Sequence, residues 1–206
     1  METVEHVKEN LDYYNQILRD KSVEEVIEFA LSISSRPILT SNFAPYSASL
    51  IHAVSKAKPG INLVWCDTGF NTDATVEFSQ TIKEELPVNL CVYKSLVNHN
   101  FDEVPSSDSD EFEDFVNTVK LEPFQRALDE HNPDLWFTNI RRGQTAYRDT
   151  LNILSVNGEN ILKVSPFYFW SEPELHNYLK ENNLPNEFRY YDPTKPKSNL
   201  ECGIQL

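Results

Sequence analysis

Cysteine is scarce in this sequence: Cys66, Cys91 and Cys202 are the three in 206 residues. They lie far apart and form no Cys-x-x-Cys pair, which argues against a disulfide framework and a structural zinc site. A reducing, cytoplasmic setting is the expectation. Positive charge is also short, with 18 Lys and Arg against 32 Asp and Glu and a formal net charge of −14. An acidic body does not attract nucleic acid or an anionic membrane, so neither is expected as a partner. No apolar run approaches the roughly 20 residues of a membrane helix. The opening stretch METVEHVKENLDYY carries acid where a signal peptide needs an apolar segment. What is present is the profile of an ordinary globular protein, 40% hydrophobic, 12% aromatic and 24% charged. The length suits one domain with a substantial core better than two.

Along the chain the apolar spacing alternates between helical and strand-like, without internal repeats. VEEVIEFALSI repeats at three and four residues and reads as a helix, with Ser22 as its N-cap. RPILTSNF and INLVWCDTGF read as short buried strands that end in polar loops, and Pro45 is expected in the first turn of the helix SASLIHAVSKA. TDATVEFSQTIKEEL is a helix, NLCVYKS a strand, EPFQRALDEH a helix, and LWFTNI and ILKVSPFYFW further strands. SEPELHNYLKENN opens with Ser171 followed by Glu174, the spacing of a capping box. SSDSDEFEDF reads as an acidic loop. Alternating strands and helices of these lengths predict an α/β fold, a mostly parallel twisted sheet with helices on both faces. Residues 1–20 are expected as an N-terminal helical extension of a single domain, and 186–206 as a mobile C-terminal tail carrying Cys202.

In an open α/β sheet, ligands bind where the carboxyl ends of strands meet the next loops. Three polar stretches fall there: TSNFAPYS, DTGF and RRGQTAYR. The first precedes a helix N-terminus, whose backbone N–H groups favour an anion, and Thr40, Ser41 and Ser47 add hydroxyls. A hydroxyl-rich loop that merely caps a helix is the plainer alternative. The third brings three arginines within eight residues, suited to forked contacts with phosphate or sulfate oxygens. Pairing with the abundant surface carboxylates is its plainer alternative. Together the stretches suggest a polyanionic, nucleotide-like ligand.

Five segments, in order, resemble the phosphoadenosine phosphosulfate (PAPS) reductase family: ILTSNFAPYSASLIHAV, VWCDTGF, KLEPFQRAL, WFTNIRRGQTAYR and LECGIQL. The resemblance runs from about residue 20 onward and implies an adenine-nucleotide α-hydrolase fold of the PP-loop type. It implies a cytoplasmic enzyme of sulfate assimilation that reduces PAPS to sulfite and adenosine 3′,5′-bisphosphate. Cys202 is then the nucleophile, passing through an S-sulfo-cysteine that thioredoxin or glutaredoxin resolves. Ser41, Asn42 and Phe43 would belong to the phosphate loop. Asp67, Thr68 and Gly69 would line the nucleoside side, and Lys120, Arg141, Arg142 and Arg148 would neutralise the ligand's charge. Lys195 and Lys197 are candidates for lowering the pKa of the Cys202 thiol. Cys66 and Cys91 read as core residues. Three cysteines cannot supply the four thiolates of an iron–sulfur cluster, so none is expected and no metal is. Relatives form homodimers, which makes a homodimer possible here.

The sequence departs from the family pattern at Ala44-Pro45, Asn139, Gly143 and Gln205, and its stretch before Cys202 is short, with Arg189 as a stand-in arginine. Two other readings stay open: a nucleotide-binding relative with weak or no turnover, and a PP-loop nucleotidyl transferase.

Overall fold

The computed structural model describes residues 2–97, 101 and 103–195. Three helices open the chain: α1 (Val4–Glu9), α2 (Leu11–Leu18) and α3 (Val23–Ile33). A repeating unit follows, β1 (Pro37–Thr40), α4 (Ser47–Ala57), β2 (Ile61–Cys66), α5 (Asp73–Glu85) and β3 (Val88–Tyr93). The second half adds α6 (Glu111–Val116), α7 (Glu122–His131), β4 (Leu135–Phe137), β5 (Leu154–Val156), β6 (Leu162–Val164) and α8 (Glu172–Glu181). Local chemistry sets several boundaries. Ser22 caps α3 in a reciprocal box with Glu25, its hydroxyl accepting from Glu25 N at 3.1 Å and the Glu25 carboxylate accepting from Ser22 N at 2.8 Å. At α8 the Glu174 carboxylate accepts from Ser171 N at 2.7 Å.

The six strands of the described residues form one sheet in the order β3-β2-β1-β4-β6-β5. Every neighbouring pair is parallel except β5 and β6, which form an antiparallel edge. Side chains alternate across a strand, and the core divides accordingly. Leu39, Leu63, Trp65, Leu135 and Phe137 face the larger cluster, built with α1–α5 and α8. Ile38, Trp136 and Val64 face the opposite side, where Phe124, Leu128 and Ala127 of α7 cover them. Each fully buried side chain of this size contributes about 1.5–3 kcal/mol. Helices therefore cover both faces, as the alternating pattern implies.

One polar anchor fixes the start of the central strand pair. Asp134, just before β4, accepts from Ser35 N at 2.9 Å and Arg36 N at 3.0 Å at the entry to β1. The hydroxyls of Ser34 and Ser35 complete the set. Burial pushes the Asp134 carboxyl upward, but these hydrogen bonds outweigh it and hold the group below its ordinary range.

Several sequence expectations change. Pro45 lies in a turn before α4 rather than in its first turn, because the backbone reverses through Tyr46 in the left-handed region, at φ 65°. The acidic segment contains α6, held by the buried ring of Phe115. ILKVSPFYFW forms a strand over three residues and then turns, and β5 was not anticipated at all. Among the described residues, no helix is long and apolar enough to cross a membrane.

Candidate functional site

From β1 the chain proceeds to β2 and β3 on one side, while β4 and β6 lie on the other. The strand order therefore reverses between β1 and β4, and their carboxyl ends part to leave a crevice. A cavity of about 220 Å³ occupies it. Its walls come from the ends of β1 and β2, the residues after β4, the arginine-bearing loop, the α6–α7 junction and the segment Tyr190–Lys195.

The loop after β1 is shaped by its own side chains. Ser41 N donates to Val64 O at 3.1 Å, and Ser41 Oγ accepts from Phe43 N at 2.9 Å. Asn42 Oδ1 accepts from Ala44 N at 3.3 Å. Phe43 adopts φ 56°, an uncommon choice for a bulky residue. Its ring explains how that is sustained: it is fully buried, edge-on to Trp65 at 5.1 Å and to Phe78 at 6.0 Å. Ser41 and Asn42 line the cavity, whereas the Phe43 side chain anchors the loop in the core. Among the described residues no side chain caps α4, and Ser47 at its first position lines the cavity with a buried hydroxyl that has no partner there. Asn139 Oδ1, on the opposite wall after β4, is likewise buried and without a partner among the described residues. Two unsatisfied polar atoms across one cavity are what a polar ligand completes.

The Asp67-Thr68-Gly69 turn divides its labour. Thr68 lines the cavity. Asp67 does not; its Oδ1 accepts from Gly69 N at 3.0 Å and Asn71 Nδ2 at 2.7 Å, and its Oδ2 pairs with Lys94 Nζ at 2.8 Å. Burial raises the Asp67 carboxyl, and these partners more than reverse that, so it stays below the ordinary carboxylate range. Gly69 sits at φ 80°, where a side chain would be strained.

The four expected cations are placed differently from one another. Lys120 lies on a π-helical turn, Asn117–Leu121, that joins α6 to α7 and directs its side chain to the cavity wall. Arg148 lines the cavity, its Nη1 donating to Gln144 Oε1 at 2.5 Å. Arg141 is buried behind it, stacked on the Tyr46 ring at 5.6 Å and 4.0 Å from the Glu172 carboxylate. Its Nε has no partner among the described residues, and burial pushes its pKa down. Arg142 is exposed and contributes its backbone, N donating to Tyr168 O at 2.9 Å. The structure thus brings Ser41, Asn42, Thr68, Lys120 and Arg148 to one cavity, with Phe43, Asp67, Gly69, Arg141 and Arg142 around it.

The segment after α8 closes the site from above. Tyr46 N donates to Asn186 Oδ1 at 2.8 Å, Thr72 Oγ1 to Arg189 O at 3.2 Å, and Asn42 Nδ2 to the Tyr190 hydroxyl at 2.5 Å. The Arg189 side chain itself is exposed and turned to Glu187. Asp192 reaches the buried Lys120 ammonium at 2.8 Å. Burial raises its carboxyl, but the Lys120 charge and the Lys120 and Thr194 hydrogen bonds hold it below its ordinary range. Sequence reasoning missed Tyr190 and Asp192, whose stretch shows no motif, and it placed Cys66 in the core although its half-buried side chain lines the cavity. Cys202, Lys197 and Gln205 lie outside the described residues.

The phosphoadenosine phosphosulfate reductase domain matches residues 36–190. The phosphoadenosine 5′-phosphosulfate reductase of Buchnera aphidicola subsp. Acyrthosiphon pisum (strain Tuc7) is 34% identical over 180 residues, 84% of this chain and 73% of that protein. The crystal structure of phosphoadenylyl-sulfate (PAPS) reductase from Candida auris, a phosphate complex, superposes with a TM-score of 0.74 at 24% identity, over 87% of this chain and 88% of that one. The Candida glabrata FMN adenylyltransferase bound to ATP shares the fold at a TM-score of 0.59 and 12% identity, over 80% of this chain and 54% of that one.

Proposed function

Because the chain belongs to the phosphoadenosine phosphosulfate reductase family, we propose that it reduces PAPS to sulfite, with Cys202 as nucleophile and thioredoxin or glutaredoxin as reductant. The observation that carries this reading is the crevice between β1 and β4, where the buried Ser47 Oγ and Asn139 Oδ1 belong to the lining of one cavity and have no partners among the described residues. Ser41, Asn42 and the start of α4 hold phosphate or sulfonate oxygens, helped by the partial positive charge of the helix end. Arg148 and Lys195 lend positive potential at the cavity wall. Arg141, held by the Tyr46 ring, adds to the field from behind. Arg142 meets substrate at the exposed rim, and Asp67, Thr68 and Gly69 form the nucleoside side. The reductase belongs to sulfate assimilation in the cytoplasm and needs no iron–sulfur cluster.

In the first step the Cys202 thiolate attacks the sulfonate sulfur. An S–S bond forms, the bond from sulfur to the bridging phosphate oxygen breaks, and adenosine 3′,5′-bisphosphate leaves with that electron pair. The departing phosphate gains charge, which fixed donors at the α4 end stabilise. A thiolate of the reductant then attacks Cys202 Sγ and expels sulfite, leaving a mixed disulfide. The reductant's second thiol resolves it, so the reductant is oxidised and the sulfur reduced. Thioredoxin enters because no second cysteine neighbours Cys202 in sequence.

Intact-protein mass spectrometry tests the reading. Reduced protein mixed with PAPS and no reductant should gain one SO₃ unit. Thioredoxin should remove it, and Cys202→Ser should never acquire it. Bound nucleotide without any adduct would turn the assignment toward a binding protein. A homodimer is compatible with this chemistry, which needs one chain per cavity.

A further inference from the structure

Two large aromatic side chains on the roof of the cavity are exposed, Phe188 at 65% and Tyr191 at 50%. Scattered exposed apolar residues are ordinary on a protein surface, but these two sit on a stretch that the chain holds in place. Asn186 Oδ1 accepts from Tyr46 N, Arg189 O from Thr72 Oγ1, and the Tyr190 hydroxyl from Asn42 Nδ2. The Phe188 ring also stands edge-on to the Tyr46 ring at 5.9 Å. Neither Phe188 nor Tyr191 lines the cavity, whereas Tyr190 between them and Lys195 beyond them do. Side chains already held in position lose little freedom when a partner covers them.

The covalent chain limits how far Cys202 can lie from this roof. It follows Lys195 by seven positions, and seven residues span at most about 25 Å. Cys202 therefore reacts within that radius of the cavity wall, and a protein reductant has to come up against the roof to reach it. Redox encounters between proteins bury little, under about 1,200 Å² in total or about 600 Å² a side, and aromatic residues are their common anchors. A whole Phe or Tyr side chain covers about 150–250 Å², so the exposed shares of Phe188 and Tyr191 offer roughly 170–290 Å². That is between about a quarter and a half of such a footprint. Resting on the assignment of Cys202 as nucleophile, we propose that Phe188 and Tyr191 form the docking surface for a thioredoxin-class dithiol protein. They seat it over the cavity mouth with its thiolate in reach of Cys202 Sγ, the dithiol becoming a disulfide as sulfite leaves. Neither aromatic takes part in binding the nucleotide or in the attack on the sulfonate sulfur.

Separating the two half-reactions provides the test. The sulfonated full chain is prepared with PAPS and no reductant, and excess nucleotide is removed. Loss of the adduct is then followed by intact-protein mass spectrometry, with thioredoxin and separately with dithiothreitol. Phe188→Ser and Tyr191→Ser should each form the adduct, and lose it to dithiothreitol, at rates within about twofold of wild type. The rate constant with thioredoxin should fall about tenfold, the scale of losing one interface anchor. Phe188→Tyr keeps a ring and should retain most of that rate, and Tyr13→Ser, a comparably exposed aromatic on α2, should change nothing. Slowing with both reductants alike, or with neither, overturns the inference. Slower adduct formation overturns it too, since the aromatics would then serve the cavity or seat the chain's own tail. A wild-type adduct that dithiothreitol clears and thioredoxin does not defeats the partner and leaves the nucleophile standing. No adduct on wild type defeats the Cys202 assignment, and this inference with it.

Discussion

Thr40 shows how one side chain is aimed by another. Its Oγ1 accepts a hydrogen bond from Trp136 Nε1 at 2.7 Å, and Trp136 is fully buried. With that lone pair engaged, the hydroxyl's own proton points to other acceptors, and Thr40 lines the cavity. Trp136→Phe keeps most of the packing and deletes the donor. It should lower kcat/KM about fivefold, corresponding to about 1 kcal/mol, with the change mostly in KM and a thermal midpoint close to wild type. Steady-state kinetics beside thermal unfolding separates this from simple loss of fold. Legibility at this scale followed locality. Ser41 and Asn42 were readable because a polar run at a strand end is a local signal. Asp192 was not, since its partner Lys120 lies 72 positions away and nothing in RYYDPTKPK marks it. Phe43 was grouped with the binding loop by adjacency, whereas its left-handed backbone turns the ring into the core.

At the level of elements, the sheet depends on how its central strands begin. Asp134 ties the entries of β1 and β4 together, and those are the strands whose far ends form the crevice. Asp134→Ala should cost about 2 kcal/mol by stranding backbone donors, while the folded variant keeps the wild-type nucleotide affinity. Urea unfolding checks this, and pH supplies a second reading. The folded carboxyl lies below its unfolded value, so its stabilisation is fully present above about pH 4 and fades as pH falls through the folded value. The gap between variant and wild type should therefore narrow in acid; a constant gap would rule out the ionised carboxylate as its source. Helices with a serine start and a glutamate three residues on were legible, because the cap is written in the sequence. Helix α6 was masked by acid, although Phe112, Phe115 and Val116 share its apolar side. Strand β5 is three residues long, too short for any period to show.

For the whole molecule, charge and site oppose each other. The body carries a net −14, and among the described residues the cavity lining holds three cations against one carboxylate. At about 0.01 M salt the screening length is about 30 Å and an approaching anion feels the whole acidic body; at about 0.1 M it is about 10 Å and local cations dominate. Raising the salt over that range should increase kcat/KM for the anionic nucleotide. A fall would mean that the field of the cavity already prevails at long range. The two-sided α/β architecture was legible here, since alternating elements dictate it, and so was the position of a cavity at the strand ends. The roof was not, because a stretch without regular structure acquires its shape from what it covers.

That roof also ties the site to the order of synthesis. Asn186, Arg189, Tyr190 and Asp192 hold, respectively, the turn before α4, the cap of α5, the loop after β1 and the junction before α7. All four follow β6 and α8 in the chain, so the described strands of the sheet are synthesised before the residues that close the cavity. A bound nucleotide stabilises by mass action only the species that binds it. A ligand held in the cavity therefore stabilises the chain only once Asn186, Arg189, Tyr190 and Asp192 are in place.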